Sequence, residues 1–401
     1  MTGITRVDEL KQNVVDAVDY RSEKLIGISH AIHGKPEIAF GEKFAHATLT
    51  DTLQDEGLPV VRNAYGLDTA FSVEIGSGEY CVAVICEYDA LPGIGHACGH
   101  NVIAAAGLGA GIALAPIAES LGLKLKILGT PAEEAGGGKV VMARAGAFAD
   151  VEAAMMVHPA DADIAALGFL AVQSMKVTYT GLAAHASVSP HKGKNALDAA
   201  VLGYMGVSAL RQHILPSERI HGIFLRGGER PNIVPCETEM EWYVRSPSIE
   251  SLQPLKRRVI ACFDGAAAAC DCHAKVDLDH FTAADVKHNI PMLDAYVANA
   301  RSLGRSYELL NLPSGGSGST DMGNISYIVP SIHPMIQVAP PGVALHTTEF
   351  AEFAASRHAD DAVIAGAKLM AMTAIDIWSS GALQSRLREN FGSPAPSSLV
   401  L

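Results

Sequence analysis

Residues 87–101 read EYDALPGIGHACGHN: two carboxylates, a proline-glycine turn, then a thiol flanked by imidazoles. Such groups all need partners when buried, so a run of this kind after an apolar stretch points to something bound rather than to core packing. Thiolate, imidazole and carboxylate are the donor set of zinc and its divalent neighbours. Two such ions need a bridging anionic group to stand roughly 3.5–4 Å apart. Cys98, His100, Glu134, His158 and His346 supply that set. A Cys-x-His pair alone is a weak signal, because small thiols often fill cores. Its weight comes from Glu133-Glu134 and His158-Pro159, each of which follows a further apolar run. The adjacent glutamates allow two readings. In an extended turn one can ligate a metal while the other faces the attacking water as general base; at a helix N-terminus both would simply favour the macrodipole.

The elements that must position these groups can be read from the pattern. Residues 7–29 and 41–57 have amphipathic helical periodicity. Segments 80–86, 124–128 and 153–157 are short β-type runs, with an apolar helix over 101–119 between the first two. Strands alternating with helices predict an α/β layer with a largely parallel sheet. Ligands in such sheets sit outside the carboxyl ends of the strands, where Glu87 to His100, Glu133-Glu134 and His158 all fall. From about 170 the order changes to strand 171–180, helix 195–213, strands 220–226 and 238–245, helix 249–269 and strand 273–278. That β-α-β-β-α-β order is ferredoxin-like. After 284 the α/β pattern resumes, with helix 291–303, strand 334–338 and a closing helix over 359–379. The expected organisation is a catalytic domain in two parts, 1–169 and 284–401, with a second domain inserted at 170–283.

Bulk properties narrow the class. At 401 residues, two domains are expected. A net charge of −13 without a basic stripe argues against nucleic acid and anionic membrane surfaces as partners. No signal-peptide pattern opens the chain, and the apolar runs read as shorter than the roughly 20 residues of a bilayer span. Seven cysteines, an odd number, read as thiols or ligands rather than disulfides. A cytoplasmic protein is expected, with the Pro/Ser-rich tail SPAPSSLVL frayed.

The motifs resemble the metal-dependent amidohydrolases and exopeptidases that include aminoacylase, glutamate carboxypeptidase, auxin-conjugate hydrolases and aminobenzoyl-glutamate hydrolases. The likeness runs nearly end to end, through IHGKPEIAFGE, EYDALPGIGHACGHN, GTPAEEAGGGK, VHPA, GLAAHASVSPHKGKNALDAA, GGERPNIVP, STDMGN and LHTTEF. The form at 87–101 is most similar to the aminobenzoyl-glutamate and dipeptide-cleaving branch. The resemblance implies two divalent ions per subunit, zinc or manganese, held by Cys98, His100, Glu134, His158 and His346, with Glu133 as general acid/base. It implies that the inserted domain is a lid that also makes a homodimer, with His185 reaching the partner's site, Asn232 assisting and Arg245 holding a substrate carboxylate. The reaction implied is metal-assisted cleavage of an amide bond in an N-acyl amino acid, a dipeptide or an aminobenzoyl-glutamate-like compound.

Departures from the family pattern are local. Asn101 and Ile103 stand where many relatives have an aspartate and a histidine, and Glu87 stands where others have the histidine of His-x-Asp. Asp89 is read as supporting a ligand, and His33 and Glu37 as structural. Gly107-Leu-Gly-Ala-Gly lacks a dinucleotide fingerprint and reads as close helix packing. Cys270-Asp-Cys272-His273 has no second pair and is discounted as a metal site. The run 315–321 reads by itself as a flexible linker, whereas the resemblance implies that it lines the pocket near the substrate. Two rival readings remain for this sequence: hydrolytic deamination of a carboxylated aromatic amine with the same metal-bound water, and a non-catalytic binding protein on the same scaffold.

Overall fold

A computed structural model describes residues 3–121, 123–278, 281–308 and 318–401. Its amino-terminal part runs α1 (Gly3–Tyr20), α2 (Ser22–His33), α3 (Lys43–Asp55), β1 (Val60–Arg62), β2 (Phe71–Ile75), β3 (Cys81–Glu87), α4 (His100–Leu121), β4 (Lys124–Thr130), α5 (Gly138–Arg144), β5 (Ala153–Met155) and β6 (His158–Ala160). The single helix expected over 7–29 is broken at Arg21, which leaves helical geometry and pairs with Glu56 at 2.9 Å. The inserted part follows as β7 (Ala171–Thr180), α6 (Ala196–Leu210), β8 (Arg219–Arg226), β9 (Glu237–Ser246), α7 (Ile249–Ala269) and β10 (His273–Leu278). The chain ends with α8 (Ile290–Ser302), α9 (Met322–Ser326), β11 (Ser331–Ile332), β12 (Met335–Gln337), α10 (Thr348–Phe353), α11 (Arg357–Ser379), α12 (Gly381–Phe391) and α13 (Ser397–Val400).

The main sheet has the order β1-β2-β4-β3-β5-β11. Its centre is parallel, as β3 pairs with β4 and β5, and β5 with β11. β1 and β2 add an antiparallel edge that the sequence pattern did not signal. All seven residues of β3 are buried, as expected of a central strand covered on both faces.

Against this sheet lies α4, and its glycines explain how closely. A Cβ on Gly107 would stand 2.5 Å from the Ile85 carbonyl oxygen, and one on Gly111 would stand 2.5 Å from Ile127 Cδ1. The glycine run is a packing surface, as read. The expectation about apolar length needs correcting: α4 is 22 residues long with a window of mean hydropathy 1.8, enough to cross a membrane by length and composition. Here 94% of that window is buried within the protein, between the sheet and α2 and α11. Core burial of each large aliphatic side chain contributes about 1.5–3 kcal/mol, so the helix is held by packing rather than propensity.

The inserted segment forms its own antiparallel sheet, ordered β10-β7-β9-β8, with α6 and α7 on one face. This is the ferredoxin-like order read from the sequence. Asn195 caps α6, its side-chain oxygen accepting from the Leu197 and Asp198 N–H groups, and Ser248 and Ser251 form a capping box on α7. Strand alternation sets the two faces. Met240, Trp242 and Val244 enter the core with Val259 and Phe263, while Tyr243 and Arg245 turn the other way.

The carboxyl-terminal tail is docked, not frayed. Val400 is buried in the same core as Trp242, and its carbonyl accepts from the Asn324 side chain. The closing helix at 359–379 is followed by two further helices that the sequence pattern did not signal.

Candidate active site

Four segments meet at the carboxyl edge of the main sheet. Beyond β3, Gly99 takes φ of 72° and turns the chain so that His100 opens α4. A Cβ there would fall 2.8 Å from the Pro159 ring, so the loop bearing Cys98 packs directly on the segment bearing His158. Beyond β4, Ala132 adopts a left-handed φ of 59° while its N–H donates to Glu42 Oε1 at 2.9 Å; Glu133 and Glu134 follow in a turn ahead of α5. His346 is also left-handed, at φ of 62°, with its N–H donating to the Ala97 carbonyl at 3.0 Å. Strained non-glycine residues of this kind persist where surrounding contacts over-determine them.

These turns bring donors together. One ligating atom from each of Cys98, His100 and His158 lies within 4.8 Å of the others, and the same holds for Cys98, Glu134 and His346. Cys98 belongs to both groups, which is where an anion shared by two ions would sit. A third group joins Glu87, His100 and Glu133.

Asp89 organises the centre. Its Oδ1 lies 3.1 Å from His100 Nδ1, and its Oδ2 accepts from the Glu134 N–H at 2.9 Å. Nε2 of His100 is left facing the cluster, 3.1 Å from Glu87 Oε1 and 3.9 Å from Glu134 Oε1. Glu87 Oε1, His100 Nε2 and Glu134 Oε1 are all buried without a hydrogen-bond partner among the described residues. Two carboxylate oxygens and an imidazole nitrogen orphaned around one point are the donors a divalent cation satisfies, so the residues present fit the metal the chemistry implies.

Among themselves, the buried charges of the site perturb one another in both directions. Burial works against the His100 imidazolium, but Glu87, Asp89 and Cys98 outweigh it and hold its pKa well above the ordinary value. Burial and the neighbouring His100 push His158 down to about 3, leaving the neutral form that coordinates metals. Burial raises the Cys98 thiol, and burial together with Glu87, Glu134 and Asp321 raises Glu133 well above the carboxylate range.

A cavity of about 650 Å³ opens over these residues. Cys98, Glu133, Glu134, His158 and His346 line one side, and Val172, Ser174, Tyr243 and Arg245 of the inserted sheet also line it. Strand register explains the latter set, because Val172 pairs with Arg245 and Ser174 with Tyr243. The Arg245 Nε donates to His221 Nε2 at 3.3 Å, and no carboxylate pairs with the guanidinium among the described residues. Gly318, Ser319, Thr320 and Asp321 line the cavity as well, whereas 315–317 of that run lie outside the described residues.

Two expected site residues stand apart. His185 and Asn232 are exposed on the inserted domain, adjoining each other through the Ala186 N–H to Asn232 carbonyl bond of 3.0 Å, and neither lines the cavity. Asn101 donates to Ser29 Oγ and the Ala354 carbonyl, and Ile103 is core. His33 bonds the Ala351 carbonyl and Glu37 accepts from the Phe44 and Ala45 N–H groups, as structural residues do. No metal-ligating group forms at 270–273 among the described residues. Sequence reasoning missed Lys139, which is fully buried against Glu87 and Asp321. The available signal was a charged residue between Gly136-Gly-Gly138 and the apolar Val-Val-Met.

An α/β layer with this donor cluster, joined to a separate antiparallel sheet, is the setting of a metal-dependent hydrolase of amide and peptide bonds, the class to which the chain belongs. Within that class it belongs to the peptidase family M20/M25/M40, whose family model matches residues 84–375. The chain is 39% identical to the Xaa-Arg dipeptidase of Mus musculus, over 97% of this chain and 94% of the relative. It is 27% identical to one of the subunits of the p-aminobenzoyl-glutamate hydrolase of Escherichia coli, over 96% of this chain and 95% of that one. Among solved structures it resembles a dinuclear metal-binding peptidase of Bacillus subtilis, with TM-score 0.69 at 19% identity, covering 90% of this chain and 99% of the other.

Proposed function

We propose that this protein is a two-metal dipeptidase or N-acyl amino acid hydrolase, cleaving an amide bond next to a free carboxylate. The observation that carries this reading is the cavity uniting the Cys98-centred donor cluster, Glu133 and the carboxylate-free Arg245. Cys98, His100, Glu134, His158 and His346 would hold two divalent ions, zinc or manganese. When bound, such ions activate a water and polarise a carbonyl. Glu133, in the same cavity, takes the proton from the attacking water and passes it to the leaving nitrogen. Arg245 grips the substrate carboxylate through its planar fork. Likeness to the mouse enzyme favours dipeptides within this substrate class.

His185 and Asn232 fit the reaction only if they come from a second copy, since neither lines its own cavity. The lid offers a surface for that copy. Ile223, Phe224 and Leu225 are exposed on the edge strand β8, and Val201, Leu202 and Met205 are exposed on α6. An apolar unpaired strand edge invites pairing. We therefore assign 170–283 as lid and dimerisation domain and 1–169 with 284–401 as the catalytic domain. All seven cysteines are unpaired, which suits the reducing cytoplasm.

The test is a mass-spectrometric hydrolysis screen of dipeptides, N-acyl amino acids and aminobenzoyl-glutamate with manganese- or zinc-loaded protein beside Glu133→Gln. Release of an amino acid should fall by about 10²–10⁴-fold in the variant, the usual worth of a positioned acid/base. Full activity in Glu133→Gln would sink the mechanism.

A further inference from the structure

The proposed reaction leaves Glu87, Lys139 and Asp321 without a task. Lys139 lies in the first turn of α5, and it, Glu87 and Asp321 are all almost completely buried. Lys139 Nζ donates to Glu87 Oε2 and, at 2.7 Å, to Asp321 Oδ1; the Lys139 backbone N–H donates to Asp321 Oδ2 at 2.9 Å. Removing such ions from water costs several kcal/mol each, and apolar residues of similar volume often serve stability as well or better. The network therefore calls for a reason beyond packing.

Its geometry supplies one. Asp321 grips Lys139 at two points, and Lys139 grips Glu87 through one oxygen only. The other oxygen, Oε1, is buried, makes no hydrogen bond among the described residues, and lies 3.1 Å from His100 Nε2. That nitrogen is itself orphaned, because Asp89 occupies the Nδ1 side of the ring. One ligating atom from each of Glu87, His100 and Glu133 lies within 4.8 Å of the others. A carboxylate anchored on one side and left bare on the other, towards an imidazole nitrogen and a second carboxylate, has the form of a metal ligand.

We propose that Glu87 is a further ligand of the metal centre, on the His100 side, with Lys139 and Asp321 as its positioning residues. This rests on the two-metal reading above and adds a carboxylate to it. Glu87 Oε1 and His100 Nε2 then share one ion, and the ammonium fixes which oxygen is presented.

The experiment is titration of the metal-free protein with manganese chloride by calorimetry, with bound metal counted after dialysis. Wild type should take up two ions. Glu87→Gln, which keeps shape and removes charge, should bind one of them at least about tenfold more weakly, as loss of a ligand or its support does. Glu87→Asp, charged but a methylene shorter, should recover part of that loss. Two ions bound by Glu87→Gln at wild-type affinity would overturn the proposal and leave the two-metal reading intact. A wild-type protein that takes up no ion would overturn both. If Glu87→Gln fails to fold by circular dichroism, Asp321→Asn decides: it loosens Lys139 without touching Glu87 and should weaken the same ion, and unchanged binding there would refute the assignment.

Discussion

Replacing Lys139 by methionine removes the ammonium while keeping much of its stem. Glu87 and Asp321, at 0% and 1% exposed, are then left facing a site with no counter-charge from α5. Breaking a buried ion pair on one side costs about 3–5 kcal/mol, a large part of the roughly 5–15 kcal/mol that holds an ordinary domain folded. The loss should also depend on pH. Burial raises the Glu87 pKa, and Lys139 followed by His100 opposes it. Without Lys139 the folded-state pKa climbs further above the unfolded value of about 4.3. The folded variant then holds a proton that the unfolded chain releases, so its stability is full below that unfolded value and declines as pH rises through the folded one. Urea unfolding of the metal-free protein tests this at pH 5.5 and pH 8. The chain has two tryptophans, in separate hydrophobic cores, so a Trp242→Phe background leaves Trp378 to report on the core that holds α4 and the main sheet. With a slope of about 2–3 kcal/mol per M, the midpoint should fall by about 1–2 M at pH 8, and by clearly less at pH 5.5. Equal losses at both pH values, or a loss below about 1 kcal/mol, would refute the argument from buried charge.

Two further predictions concern the lid. Arg245→Ala should lower kcat/KM for substrates with a free carboxylate by about 10–100-fold, because hydrogen bonds to charged groups contribute about 1.5–3 kcal/mol; amidated substrates should lose far less, and an equal loss on both would remove Arg245 from that role. If the lid pairs two copies as proposed, Ile223→Lys on the β8 edge should yield a monomer in sedimentation and abolish hydrolysis, since His185 would no longer reach a neighbouring site. A fully active monomer would count against sharing of the site.

The layered α/β domain and the inserted β-α-β-β-α-β unit were legible because each element carries its own period. β7, α7 and β10 alternate or repeat against a core that lies on one face. The antiparallel edge of β1 and β2 was not legible, because three and five residues give too little period to stand out. The apolar length of α4 was underestimated, although its place between β3 and β4 and its packing glycines were legible. A helix buried on all sides has no polar stripe, and composition alone cannot say whether lipid or protein surrounds it; the glycines that admit Ile85 and Ile127 are what mark it as a core helix.

The site divides along the same line. Cys98, His100, Glu134, His158 and His346 could be picked out because their chemistry is costly to bury and they follow strand ends that one sheet edge must bring together. Lys139 could not, since its meaning lies in Asp321, 182 residues away, and in Glu87, 52 residues away. Lys139 looks like an ordinary surface charge in its own stretch, and although Glu87 and Asp321 stand in runs that draw notice, nothing local couples the three. Their role arises only when β3, α5 and the segment before α9 converge, and that convergence is fixed by the core rather than by any of the three. Donors to a bound ion thus announce themselves locally, whereas the charges that aim those donors are written across the whole chain.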